Sequence, residues 1–332
     1  MRIPLLLMFF ALTLGKGFAQ VGGQSAYQFL NIVSSPIQDA LGGRVITSTG
    51  DVNQSLLNPS MISAKLNNNF GVNYGNYFAD ISFGTAAYGY SWGEKNKTIV
   101  AGVTYIGYGD FEGTDEFGQK TGTFTGSETA LTVGYAYELP IKGLTAGTNV
   151  KIISSVLDVY NSFGAAIDLA TTYKKSDSTA LYTLALRNIG TQFTTYAGLR
   201  EPLPFEVVFG ISKKLENAPV RWHLNFQNLQ KWRSTYSNDA ISSEKNYSKT
   251  GFFQNALHHI NIGTEIFPER IITLRLGYNF KRSFELSTPN VKGFAGLSTG
   301  FGVRVNRFRF DFSYSRYTTS GNTSLFGAQF NF

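Results

Sequence analysis

The fold is decided by a stretch near the carboxyl terminus, FRFDFSY (308–314), in which aromatic and polar residues alternate without interruption. A period of two places the aromatic side chains on one face of a strand, and Arg309, Asp311 and Ser313 on the other. A helix would distribute the same residues around its axis. The stretch therefore predicts a β-strand with one apolar and one polar face.

The same alternation recurs along most of the chain, for example in TIVAGVTY (98–105) and VRWHLNFQ (220–227). Most of these runs have about 9–12 residues, which is enough to cross a bilayer at the usual tilt. They predict an all-β protein, a transmembrane antiparallel β-barrel of about 14 strands. The predicted strands are 66–74, 81–92, 98–108, 128–138, 145–154, 163–173, 180–188, 205–215, 220–228, 257–267, 271–280, 294–305, 308–316 and 323–332.

The connections between the predicted strands are sorted by length. Every even-numbered connection is short, whereas the longest, 109–127, 189–204 and 229–256, are all odd-numbered. Consecutive connections of an up-and-down barrel lie at alternate ends, and outer-membrane barrels have short periplasmic turns and longer extracellular loops. The sorting therefore favours an outer-membrane barrel over a soluble β-sandwich.

The composition agrees with a membrane barrel. Charged residues make up 15% of the chain, against about 25% in a typical soluble domain. No stretch after the first twenty residues contains 18 consecutive apolar residues, which argues against helical membrane spans. The net charge of +7 is too dispersed to indicate nucleic-acid binding, and the absence of Cys excludes disulfides and thiolate sites.

Both ends of the chain carry signals of export. Residues 1–19 are predicted to be a signal peptide, with an apolar run over 3–14 and a small-x-small cleavage site that ends at Ala19. The chain ends in GAQFNF (327–332), which resembles the terminal-strand signal of outer-membrane barrels. Leu325 departs from that signal, in which a polar residue is usual. We expect a multi-pass protein of the bacterial outer membrane.

Residues 20–65 do not alternate, and they form a separate N-terminal periplasmic or plug segment before the barrel at 66–332. Gly42-Gly43 permits a tight backbone, and Asn58-Pro59 indicates a turn. Fourteen strands enclose more space than their own inward side chains fill, and the mixed composition of the segment suits a polar lumen. We expect a plug that enters the barrel. A mobile periplasmic leader is the alternative.

Several motifs resemble a known family. ALGG (40–43) and NPS (58–60), ahead of a fourteen-strand pattern, resemble the FadL-like, PorV-related barrels of the type IX secretion system. The resemblance covers nearly the whole chain after the signal peptide. It also rests on GGQSAYQFL (22–30), NLQKW (228–232), HINIGTE (259–265) and RLGYN (275–279).

The resemblance implies a role in the cell-surface attachment complex of that secretion system. A barrel of this kind tethers a PorZ-like surface protein beside PorU- and PorV-like sortase components. The sortase removes C-terminal signals from cargo proteins and joins the cargo to anionic lipopolysaccharide. The implied partners are therefore these proteins, together with outer-membrane lipid and lipopolysaccharide.

The residues offer little catalytic chemistry. His223 lies within a predicted strand, and His258-His259 form a pair at a strand start. Adjacent strand residues point to opposite faces, so this pair cannot easily share one metal ion. Nothing local to these His indicates a hydrolase triad. We predict a protein that is not an enzyme and has no metal site or cofactor.

The connection 229–256 is the longest and contains the candidate partner-binding residues. Exposed aromatic side chains often anchor protein interfaces, although packing within the loop or contact with lipopolysaccharide would also explain them. Three functions remain open: a partner-binding scaffold, a FadL-type channel for hydrophobic small molecules with 21–65 as its gate, and a His-dependent hydrolase. The scaffold is our prediction. Its candidate residues are Trp232, Tyr236, Tyr247, Phe252 and Phe253.

Overall fold

The computed structural model describes residues 25–77, 80–93, 97–177, 179–232, 252–285, 295–316 and 321–332. The predicted signal peptide lies outside these residues. Fourteen antiparallel strands form one closed barrel, in which each strand pairs with its neighbours in sequence and the first pairs with the last. The predicted all-β barrel is confirmed.

The strands are β1 (Asn69–Asn76), β2 (Ser82–Trp92), β3 (Lys97–Thr114), β4 (Lys120–Glu138), β5 (Leu144–Leu157), β6 (Tyr160–Lys174), β7 (Ala180–Thr194), β8 (Glu206–Lys214), β9 (Val220–Phe226), β10 (Ile260–Ile266), β11 (Ile272–Asn279), β12 (Leu297–Val305), β13 (Phe308–Arg316) and β14 (Asn322–Asn331). The helices are α1 (Pro36–Ala40), α2 (Phe252–His258) and α3 (Phe280–Glu285), with 3-10 turns at Gln28–Asn31, Val52–Leu56, Pro59–Met61 and Ala64–Leu66. In the part of the chain that the structure describes, none of the helices is long and apolar enough to cross a membrane.

The period-two pattern assigns the two faces of the wall. In β13, Arg309, Asp311 and Ser313 are buried and face the lumen, whereas Phe308 and Tyr314 are exposed on the outside. Outward positions elsewhere are also mostly apolar, because they meet lipid, and inward positions carry most of the polar and charged residues of the wall.

The hairpin of β3 and β4 differs from the prediction. The strands have 18 and 19 residues, so most of the predicted loop 109–127 is strand. A register shift between Gly107 and Asp110 marks the point where the hairpin leaves the wall, and nearly every residue beyond it is exposed. We call residues 110–125 the arm. Both faces of the arm are exposed to solvent. Its sequence therefore does not alternate between apolar and polar residues.

The two ends of the barrel differ as the predicted loop sorting requires. The turn end has the short connections 93–96, 139–143, 175–179, 215–219, 267–271 and 306–307, the start of β1 and the end of β14. The loop end has the arm and the long connections 195–205, 227–259 and 280–296. Outer-membrane barrels place short turns in the periplasm and long loops outside, so the loop end is the outward one by that rule.

Residues 25–66, which we call the plug, lie inside the lumen. At the loop end the Ala26 N–H donates to the Pro202 carbonyl over 3.1 Å. At the turn end, just after the plug, the Phe332 N–H donates to the Asn68 carbonyl over 3.0 Å. Between these points α1 packs against β12 and β13, and most plug residues are buried.

Candidate functional site: the plugged lumen and the loop-end aromatic patch

Gly42-Gly43 ends α1 and lets the plug backbone lie directly against the wall. The two glycines have φ of +96° and +111°, in the left-handed region that favours glycine. The Gly42 N–H donates to the Asp39 carbonyl over 3.0 Å, and the Gly43 N–H to the Gln38 carbonyl over 2.8 Å. A Cβ on Gly277 of β11 would lie 2.1 Å from the Gly42 nitrogen, so glycine is needed on both sides of this contact.

Asn58-Pro59 forms a second point of contact. The Asn58 carboxamide oxygen accepts from the Ser60 N–H over 3.1 Å and caps the turn Pro59–Met61. Its Nδ2 donates to the Ile46 carbonyl over 2.7 Å, which joins two parts of the plug. The turn lies on β5, where a Cβ on Gly147 would be 2.4 Å from the Pro59 carbonyl carbon. Both motifs singled out in the plug thus hold its backbone against glycines of the wall.

A buried carboxylate joins the plug to the wall near the loop end. Glu206 on β8 pairs with Arg44 of the plug at 2.5 Å and with Arg187 of β7 at 2.8 Å. Arg187 also donates to the Leu30 carbonyl of the plug over 3.0 Å. Both Glu206 and Arg187 are almost fully buried, so this charge network is shielded from solvent.

A second network lies on β5, β6 and β7. Lys151 pairs with Asp168 at 2.7 Å and donates to the Asn188 side chain over 2.9 Å. Asn149 donates to the Ser55 and Leu56 carbonyls of the plug over 3.0 and 3.1 Å. Asn149 therefore satisfies the hydrogen-bonding capacity of plug carbonyls, and Lys151 neutralises the charge of Asp168.

A third network lines β9, β10, β11 and β13. Arg275 bridges Glu265 at 3.2 Å and Asp311 at 2.9 Å. His223 contacts Glu265 at 3.3 Å and the Thr47 hydroxyl of the plug at 2.9 Å. His223 thus has partners on both ring nitrogens, as expected of a structural His.

A small cavity lies between the plug and the wall. It has a volume of about 20 Å³ and lies between Phe29 and Leu56 of the plug and Lys151 and Arg187 of the wall. This volume is about that of one water molecule. Among the residues described, no group of three or more His, Cys, Asp and Glu is placed to hold a metal ion. The chemistry of this region is that of ion pairs and hydrogen bonds that hold the plug.

Three of the candidate partner-binding residues lie in the described part of the chain, and two of these are in contact. The Trp232 ring stacks on His259 with centroids 5.1 Å apart and contacts Phe252 at 5.6 Å. His259 is buried and bonds the Gln227 carbonyl through Nδ1 at 2.8 Å, which fixes the ring on which Trp232 stacks. Tyr236 and Tyr247 lie outside the described residues.

The same face is extended by α2 and α3, which contact each other. The His258 ring of α2 lies 4.7 Å from the Phe284 ring of α3. Phe252 and Phe253 of α2 are each 75% exposed, whereas Trp232 is 42% and Phe284 40% exposed. We call these four residues the aromatic patch. It presents large apolar side chains at the loop end, and exposed apolar patches often mark interaction sites.

Sequence reasoning missed the lumen charges. Arg44, Lys151, Arg187 and Glu206 were not among the candidate residues, although the wall residues of this group occupy inward positions of the period-two pattern. A charged residue at a strand position that the period-two pattern places on the lumen side could have indicated these residues. Phe284 was also missed, because it follows a strand rather than lying in the longest loop.

No family model and no curated protein matches this sequence. Among solved structures, the fold is similar to that of the toluene transporter TbuX of Ralstonia pickettii, with a TM-score of 0.55 and 15% identity over 91% of this chain and 99% of that chain. Lower similarity is found to Omp33 of Acinetobacter baumannii (TM-score 0.42, 8% identity, 80% of this chain and 99% of that chain) and to the KdgM porin (TM-score 0.36, 7% identity, 80% and 99%). The similarity to TbuX supports the predicted fold, an outer-membrane β-barrel.

Proposed function

We propose that this protein is a non-enzymatic, PorQ-like scaffold of the outer membrane that tethers a PorZ-like surface protein for the type IX secretion attachment complex. In this role the barrel holds the complex in the membrane, and the loop end binds the partner beside PorU- and PorV-like sortase components. The signal peptide over 1–19 delivers the chain to the outer membrane. The aromatic patch is the single observation that carries the proposal.

The patch has the properties of a protein-binding surface. Trp232, Phe252 and Phe253 are exposed together, and Trp232 is held by the buried His259 ring. Large, rigid aromatic side chains dominate the binding energy of many interfaces because they bury much area at little cost in conformational entropy. A patch that is prearranged in this way supports docking of a partner from outside.

The plug also favours a scaffold over a conduit. Ligand pockets usually have volumes of about 300–1,000 Å³, whereas the cavity between the plug and the wall beside Lys151 and Arg187 has about 20 Å³. A pocket of about 330 Å³ lies instead at the turn end, between residues 214–219 and 267–270. A largely buried ion pair joins Arg44 of the plug to Glu206 of the wall. A protein whose interior is occupied in this way is suited to present surfaces at its rim.

The test is a double substitution on α2, Phe252→Ala with Phe253→Ala, in the full chain in its own outer membrane. Loss of two exposed aromatic anchors should reduce retention of the surface partner by at least tenfold, since a hot-spot residue typically contributes about 2 kcal/mol or more. Quantitative mass spectrometry after mild detergent extraction measures the retained partner.

Phe117→Ala is the matched control, because Phe117 is 78% exposed at the loop end but lies at the tip of the arm, apart from the patch. Both proteins should remain folded, which a heat-dependent shift in electrophoretic mobility shows. Equal retention of the partner by the double variant and the control would refute the proposal.

A FadL-type channel for hydrophobic small molecules is the second candidate. The fold similarity to a toluene transporter favours it. In that case the purified barrel should contain a bound apolar molecule, and displacement of the plug should accelerate uptake of such molecules into vesicles. A scaffold should show neither property.

A further inference from the structure

Unpaired cations gather at the turn end of the barrel. None of them takes part in an ion pair with another described residue. Nearby Lys214 is different, because Glu269 neutralises it at 2.6 Å and its hydrogen bond lowers the pKa of the Glu269 carboxyl. We call the unpaired set the basic collar: Lys65, Lys97, Lys142, Lys174, Lys213, Arg270 and Arg307.

The arm at the loop end has the opposite charge bias. The arm contains Asp110, Glu112, Asp115 and Glu116, of which Glu112 pairs with Lys120. The arm therefore has an excess of negative charge, and the turn end an excess of positive charge. The turn end also has four described carboxylates, of which Asp177 and Glu269 pair with Lys175 and Lys214. With Glu138 and Glu216 they are fewer than the cations, so the excess of positive charge attracts anions to the turn end.

Two members of the collar lie on the lipid-facing side of the wall, each opposite a Trp. Lys97 is the register partner of Trp92 in the β2–β3 hairpin, and Lys213 that of Trp222 in the β8–β9 hairpin. Because the following Thr98 and the preceding Ser212 are buried and face the lumen, both Lys side chains point outward. Directly opposed residues of an antiparallel pair have Cβ atoms about 4.5–5.5 Å apart, so each Lys adjoins its Trp.

This arrangement matches the headgroup layer of a bilayer. Trp side chains concentrate at the boundary between hydrocarbon and water. A Lys beside such a Trp can lay its alkyl stem along the apolar surface and extend its ammonium to the phosphate level. The β2–β3 and β8–β9 hairpins lie on nearly opposite sides of the closed wall, so the pattern occurs on more than one side of the barrel.

We propose that the basic collar binds the phosphates of anionic phospholipids in the leaflet around the turn end, with Lys97 and Lys213 as the lipid-facing ligands. Anionic rather than zwitterionic headgroups are selected, because among the described residues neither Lys97 nor Lys213 forms an ion pair with a carboxylate that could instead meet a lipid ammonium group. The collar would thereby set both the depth of the barrel and the lipids that surround it. This inference does not depend on the proposed function.

The three Trp of the chain allow a direct test. Trp232→Phe removes the loop-end reporter and leaves Trp92 and Trp222, each beside a proposed lipid ligand. The folded full chain is placed in bilayers of phosphatidylethanolamine with a minor fraction of phosphatidylglycerol, and one lipid at a time has brominated acyl chains, which quench Trp fluorescence on contact. At equal mole fraction of brominated lipid, brominated phosphatidylglycerol should quench more strongly.

The matched variants are Lys97→Gln with Lys213→Gln against Lys120→Gln, which removes an exposed Lys from the arm. Each collar Lys should contribute a preference of up to about fivefold at low salt, so the double variant should lose most of the preference while the Lys120 variant keeps it. Molar salt should reduce the preference of the parent by screening.

Equal quenching by the two lipids in the parent would overturn the proposal. It would indicate that the collar binds a soluble anionic partner instead of lipid. An unchanged preference in the double variant, shown to be folded by its heat-dependent mobility, would overturn it as well. Loss of the preference in the Lys120 variant would show that total charge, rather than the collar, selects the lipid, and would also refute it.

Discussion

Glu206→Gln should loosen the plug while leaving the barrel closed. Glu206 is fully buried and neutralises two guanidinium groups, Arg44 of the plug at 2.5 Å and Arg187 of β7 at 2.8 Å. The amide keeps the shape of the side chain but leaves both Arg charges without a counterion. Removal of one partner from a buried ion pair typically costs about 3–5 kcal/mol, and we expect a loss of this size in the free energy of unfolding.

The assay is equilibrium denaturation of the folded protein in detergent, combined with limited trypsin digestion, which can cut after Arg44 once the plug separates from the wall. Glu112→Gln is the matched control, because Glu112 pairs with Lys120 at 2.6 Å while their side chains are 63% and 72% exposed. Such an exposed pair contributes about 0–1 kcal/mol. If Glu206→Gln lowers the free energy of unfolding no more than Glu112→Gln does, and the plug stays resistant to trypsin, then Glu206 does not hold the plug against the wall.

Two further changes test the contact with the plug and the lipid face. Gly277→Ala places a Cβ 2.1 Å from the Gly42 nitrogen, so the barrel should still form but the plug should become sensitive to protease. The lipid-facing substitution Leu276→Val should leave the plug protected. A plug that stays protected in Gly277→Ala would contradict the close contact between Gly42 and Gly277. Leu131→Arg, at an outward position 57% exposed, should destabilise the barrel by about 2–4 kcal/mol in denaturant unfolding in lipid. Val159→Arg in the β5–β6 turn should have little effect, and equal costs would argue against a lipid-facing β4.

The strands were predictable wherever one face meets lipid and the other meets the lumen. β13 has the predicted bounds, because its aromatic and polar residues alternate from end to end. The arm was not predictable, because Glu112 and Thr123, which are register partners, both lie on a hairpin that is solvated on its two faces. Alternation reports a difference between two environments, and it disappears where the environments are the same.

The site was predictable only in part. Their positions in the period-two pattern could have indicated that Glu206 and Arg187 face the lumen. The pattern could not have indicated that Glu206 contacts Arg44, which precedes it by 162 residues. Leu325 departs from the terminal-strand signal for a reason that is visible only in three dimensions. Its position faces the lumen near the loop end, where it joins an apolar cluster with Phe29 of the plug and Phe83 of β2.

The scaffold role is tested by extracting the tagged, unaltered chain from outer membranes in mild detergent and identifying the co-purifying proteins by mass spectrometry. A scaffold should retain a surface protein in stoichiometric amount, with or without sortase components. A lone barrel that retains a fatty acid or another apolar small molecule would refute the scaffold role and make transport the leading function.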